Sequence, residues 1–311
     1  MFRLKGSIEA YMIKTDHMQP TPIDGITYYT PSPGFVITGL DGNVSIPWEF
    51  PTPLCDDDFR SLGAGDEPTY DHVGNGMYRA LRNKPDCIYA IDYARVLKEG
   101  YPHIIAEIGG EAIMLDVKEV DTPYLDRKIN LLRIMALLEP LNANIWREIA
   151  RTYMEKGSRL EASHSAVHSW YAAEKYASHS LGLNPDDQHT KMHLAETHYI
   201  LGHYQQAITL WSGILTTLDD TQKKRATERI SAIETGKLPR VPVVDYLTAL
   251  SVAFEQHQEG SFYEAAAIVE DVLLDEEFRV QFPLAGVYTF LEQCYRAVNM
   301  TDKADALKGC C

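Results

Sequence analysis

The sequence predicts a mostly α protein, an irregular array of helical hairpins behind a small N-terminal β-containing cap. Three observations carry that expectation. Proline and glycine crowd the first 70 residues, apolar residues recur at three- and four-residue spacing from Tyr70 onward, and one sequence phase repeats four times between Trp146 and Ala304. The 311 residues are 45% hydrophobic and 23% charged, an ordinary globular composition that excludes wholesale disorder.

Residues 1–70 hold eight of the sixteen prolines and seven glycines, with ten acidic side chains against four basic. Helix interiors do not tolerate that punctuation. Short β-type runs sit between the breaks: Ile8–Ile13, Ile26–Thr30, Phe35–Thr38 and Val44–Trp48. GFVITGLDGNVSIPW reads as a hairpin, because Leu40–Asn43 contains an Asp-Gly turn signal. PTPLCDDDFRSLGAGDEP reads as an exposed loop, with Asp56–Asp58 a solvated acidic run lacking EF-hand spacing. So few residues cannot bury an ample core alone, so this cap is expected to pack on the helical remainder of the chain.

A helical region spans 71–140. Tyr70–Arg82, Cys87–Lys98, His103–Glu119 and Tyr124–Leu138 are expected helices, with Pro85, Pro102, Pro123 and Pro140 near their boundaries, where a missing N–H does least harm. Residues 141–311 hold the repeated phase. Trp146, Lys191, Ala249 and Tyr288 are each followed at eleven positions by Gly157, Gly202, Gly260 and Asn299. Gly and Asn accept the left-handed conformation at a helix C-terminus. Sixteen positions after the same origins stand Ala162, Ala207, Ala265 and Ala304, small residues that let the second helix of each pair approach the first.

These residues resemble the tetratricopeptide repeat, whose pattern is W-x2-L-G-x2-Y, then A-x3-F, then P. The best copy is HLAETHYILGHYQQAITLWSGIL, where Leu194, Ala195, Gly202, Tyr204, Ala207 and Trp211 take consensus roles. NIWREIARTYMEKG and LSVAFEQHQEGSFYEAAAIVEDVL come next, and the copy from Tyr288 to Leu307 carries Glu292 at a small-residue position. The resemblance covers 140–311, with degenerate copies admitted from 87, and does not reach residues 1–70. The origins lie 45, 58 and 39 residues apart where the family uses about 34. An insertion of 11 lengthens a second helix by about three turns, putting Ala162 and Ala173 on one stripe. An insertion of 24 supplies an extra polar helix, Gln222–Glu234, ended by Gly236. The array is therefore expected to be distorted.

The chemistry-bearing motifs are mostly negative. No phosphate cradle, G-x-S-x-G elbow or C-x2-C pair occurs, which argues against a familiar enzyme. A formal charge of -15 disfavours nucleic acid and anionic membrane as partners. Without an apolar span or signal-like leader, and with five cysteines, the chain is expected to be cytoplasmic; Cys310 and Cys311 read as a frayed tail. No cofactor is expected. Trp146, Trp170 and Trp211 read as packing residues.

The expected function is a non-catalytic scaffold or adaptor. The resemblance implies that the first helix of each pair lines a concave groove that takes a peptide or partner protein. Carried over position by position, that face holds Asn144, Arg147, Arg151 and Met154, then His189, Met192, Glu196 and Tyr199. The third copy adds Leu247, Leu250, Phe254 and His257. Arg147 and Arg151, one turn apart, can grip a carboxylate or instead pair with Glu148 and Glu155. The family's Lys/Asn carboxylate clamp is not reproduced.

A second reading rests on histidine, since seven of eleven lie between 164 and 203. His164/His168 and His189/His193 are spaced i, i+4, and Glu161 precedes His164 by three, as in helical di-iron sites. These five residues are the metal-binding expectation, for a metal-binding accessory protein or metal-dependent enzyme.

Overall fold

The computed structural model describes residues 19–39, 42–46, 50–116, 122–159, 165–282 and 284–307. The fold is mostly α, 69% helical, with a small N-terminal β part. The described residues form four short strands and fifteen helices. Two compact units divide the chain: Met1–Ile113 with Arg133–Pro140, and Met114–Leu132 with Leu141–Cys311. No described helix is long and apolar enough to cross a membrane.

The first unit carries all four strands. β1 (Ile26–Tyr29) pairs antiparallel with β4 (Thr52–Cys55), and β2 (Val36–Gly39) with β3 (Gly42–Ser45), in the register Gly39 opposite Gly42. The β2–β3 hairpin is the expected one, although residues 40–41 at its turn, and the expected strand Ile8–Ile13, lie outside the described residues. The expected exposed loop after residue 50 is instead β4 followed by α1 (Asp56–Ser61). Tertiary packing overrode the proline-rich local signal. Thr52 and Leu54 are fully buried, and β4 lies so close to α2 (Tyr70–Asn83) that a Cβ on Gly76 would stand 1.9 Å from the Pro53 carbonyl.

α2 starts in a capping box: Thr69 Oγ1 accepts from the His72 N–H, and His72 Nδ1 accepts from the Thr69 N–H. Its buried stripe Val73, Met77, Ala80 and Leu81 follows the helical period. α3 (Ala90–Gly100) supplies Tyr93, whose hydroxyl donates to the Pro51 carbonyl at 3.0 Å while its ring meets Phe50 edge-on. α4 (Ile104–Asp116) and α5 (Thr122–Leu138) complete the expected helices of this region.

In the second unit consecutive helices pair: α6 (Ala143–Gly157) with α7 (Ala166–Leu183), and α8 (Gln188–Ile200) with α9 (Tyr204–Ile214). α11 (Val243–Gln258) pairs with α12 (Phe262–Leu273), and α14 (Ala285–Ala297) with α15 (Thr301–Ala306). α10 (Asp220–Thr235) is the extra helix; Gly236 ends it in the left-handed conformation, φ 70°. α13 (Glu276–Gln281) is a single short helix. Gly202, Gly260 and Asn299 have positive φ, and in each turn the next residue's N–H reaches the carbonyl five residues back. Ala207, Ala265 and Ala304 are fully buried; Ala162 lies outside the described residues.

Gly157 departs from that pattern. It has no positive φ and closes α6 in the right-handed conformation; what it needs is space. Its Cβ would lie 2.9 Å from Trp170 Nε1, which donates to the Gly157 carbonyl at 3.1 Å. The second unit's core runs through Trp170, Tyr199, Trp211, Leu250, Phe278 and Phe290.

Alanine at Gly260, where only the backbone conformation (φ 85°, open space) opposes it, should cost about 1–2 kcal/mol in urea unfolding. Gly202→Ala should cost more, because its Cβ would also lie 2.7 Å from the Pro242 ring. Equal losses would remove the packing role of Gly202.

Candidate functional site

A groove of about 480 Å³ opens in the second unit, built by the first helices of two successive pairs and by the extra helix. Helical spacing on α6 aims Arg151, Met154 and Glu155 into it, followed by the cap residue Ser158; α8 contributes Met192, His193 and Glu196. The N-terminal turns of α10 close the third side with Thr221, Gln222 and Arg225, and Trp170 reaches in from α7. Asp219 holds the start of α10 by accepting from the Gln222 N–H at 2.8 Å.

Four of the twelve expected groove residues meet here: Arg151, Met154, Met192 and Glu196. Asn144 and His189 are exposed in the first turns of α6 and α8. Arg147 does not join Arg151 in a common grip. It donates to Asp187 at 2.8 Å, and Asp187 also accepts from Thr190 and caps α8 through the His189 N–H. Burial would raise the Asp187 pKa, but the Thr190 and Arg147 contacts outweigh it and hold the carboxyl low.

Tyr199 is a correction. It is fully buried, beneath the Arg229 guanidinium at 4.2 Å and hydrogen-bonded to Gln281, because its helix face is the one that packs. Leu247 and Leu250 are likewise core. Phe254 stacks on Phe290 at 3.9 Å, and His257 packs against Phe262 and Phe290, so this pair belongs to a cluster between α11 and α14.

Charges along the groove are largely matched from within. Arg151 forks onto Glu148, which also accepts from the buried Lys128 at 3.0 Å. Burial pushes the Glu148 pKa up, yet the hydrogen bonds from Arg151 and Lys128 prevail and lower it to about 2. Glu196 is held by Arg225 and by Arg229 at 3.1 Å. Two polar atoms on the α8 wall keep no hydrogen-bond partner: Glu196 Oε2 and His193 Nδ1. Burial first, then Arg147 and Arg151, lower the His193 pKa and keep its ring neutral. The groove therefore offers an apolar floor of two methionines and an indole, with two unpartnered polar atoms buried beside it.

Sequence reasoning missed α10 as a wall, because its place depends on tertiary packing; its Thr-Gln-Lys-Lys-Arg start was the available signal. The metal-binding expectation fares unevenly. Glu161 and His164 lie outside the described residues, His168 is exposed edge-on to Tyr153, His189 is exposed, and His193 stands in the groove. Among the described residues the acid and histidines that converge are Glu174, His198 and His203. A scan against known protein families finds no match, and neither does a search of curated proteins.

Glu148 makes acid stability a readout of this wall. Its folded pKa is depressed, so its contribution is complete above the unfolded value of about 4.3 and is lost as pH falls through about 2. Glu148→Gln should lower unfolding stability near pH 7 by on the order of 2 kcal/mol, allowing for partial exposure, and the gap should close toward pH 2. A gap independent of pH would show that its charge contributes nothing.

Proposed function

We propose that this protein is a cytoplasmic scaffold or adaptor whose second unit, an irregular tetratricopeptide-like array, binds a peptide segment of a partner protein in the α6–α8–α10 groove. The repeat reading is supported by four successive helix pairs, by left-handed turns at one phase in three of them, and by fully buried alanines at one phase in the same three. The observation that carries the binding reading is the groove's composition. Met154, Met192 and Trp170 form an adaptable apolar floor, and Glu196 Oε2 and His193 Nδ1 are polar atoms without partners.

A fitting peptide carries an apolar side chain for that floor and a hydrogen-bond donor for Glu196. An acidic anchor fits poorly, because Arg151, Arg225 and Arg229 already face carboxylates of the chain. Three free thiols, Cys55, Cys87 and Cys294, accord with a reducing compartment.

Selection from a randomised peptide library should enrich sequences with such an apolar–donor pair. The double variant Met154→Ala/Met192→Ala should weaken the selected peptide by about tenfold or more while far-UV circular dichroism shows the fold retained. His189→Ala, outside the groove, should leave binding as it was. Undiminished affinity in the methionine variant would move the site off this groove.

A further inference from the structure

Glu174 on α7 faces two imidazoles that the end of α8 brings together. His198 lies in the last turn of α8, and Gly202 (φ 80°) reverses the backbone so that the His203 N–H bonds the His198 carbonyl at 2.7 Å. That turn folds His203 back over its neighbour. His198 Nδ1 and His203 Nδ1 each stand 3.2 Å from Glu174 Oε1 and 3.4 Å from one another. We infer that Glu174, His198 and His203 form a site for a divalent transition metal, zinc by its geometry, with a further coordination position open to solvent.

The distances fit a tetrahedral ion. A tetrahedral ion with ligand atoms at about 2.0–2.1 Å requires ligand–ligand edges of about 3.3 Å, which all three edges match. Right-angled octahedral coordination at about 2.1 Å would need shorter edges, about 3.0 Å. Two imidazole nitrogens and one carboxylate oxygen are a borderline donor set suited to zinc.

The surroundings agree. Glu174 has no lysine or arginine partner among the described residues, so its charge is available to a cation. The His198 side chain is 12% exposed and that of His203 37%, so the site is walled on one side and open on the other. None of the three residues lines the groove, and this inference stands independently of the peptide-binding reading.

The test uses the full chain, purified without a histidine tag and stripped with a chelator, then titrated calorimetrically with Zn²⁺. One equivalent should bind saturably, and the melting temperature should rise with free zinc. Glu174→Gln is isosteric and His203 is only half-buried, so Glu174→Gln and His203→Ala should both fold, as far-UV circular dichroism of the metal-free proteins will verify. Each should lose more affinity than the roughly 10–100-fold that removal of an outer hydrogen-bond partner costs. His189→Ala should bind like the parent. Cobalt in place of zinc should give the strong visible bands of four-coordination. Absence of saturable binding, binding that survives in both site variants, an equal loss in His189→Ala, or weak six-coordinate cobalt bands would each overturn the assignment.

Discussion

The second unit turns on the backbone reversal at Gly202. Only a residue without a Cβ takes φ 80° there cheaply and also leaves room for the Pro242 ring. The reversal ends α8 with two carbonyls satisfied, from the Gly202 and His203 N–H groups, and sends α9 back along α8. That one geometry produces the burial of Ala207 and Trp211, the edge-on contact of Tyr204 with Tyr199, and the convergence of His198 with His203. The helix pair and the candidate metal ligands share a single local cause.

Around that pair, buried charge is handled by mutual pairing. Arg229 is almost fully buried, lies over the Tyr199 ring and meets Glu196, and Arg225 reaches the same carboxylate from the exposed side. Lys128, Glu148 and Arg151 form a comparable triad. Such pairs are costly to assemble and more costly to break, because removal of one partner leaves a desolvated charge. They fix the rotamers of the groove wall, which leaves it largely preorganised. The same pairing makes the arginines poor anchors for an external acid.

The groove and the ligand triad make different demands on one scaffold. Methionine and tryptophan supply a floor that tolerates variety in what it holds. The triad needs three atoms placed to within a few tenths of an ångström, and it sits where a Schellman turn and the buried Ser180–Trp170 side of α7 leave little freedom. Helices stacked in pairs serve both, since each first helix offers one face to the core and another to a neighbour or ligand.

Periodicity alone determined that the chain is mostly helical. It located most of the helices, the β2–β3 hairpin, and the turns at Gly202, Gly260 and Asn299, because these arise from short-range spacing and from conformations open to few residues. The repeat resemblance, rather than periodicity, put Arg151, Met154, Met192 and Glu196 on one inward phase, and these four line the groove. Local pattern could not distinguish the exposed loop expected at 51–68 from a strand held by Gly76 and a short helix, nor a left-handed Gly157 from one that makes room for Trp170. It could not tell that Tyr199 faces the core, that Arg147 is spoken for by Asp187 forty residues on, or that Glu174 meets His198 and His203. Those outcomes depend on which helix packs against which, and packing between residues distant in sequence is decided only when the whole unit closes around its core.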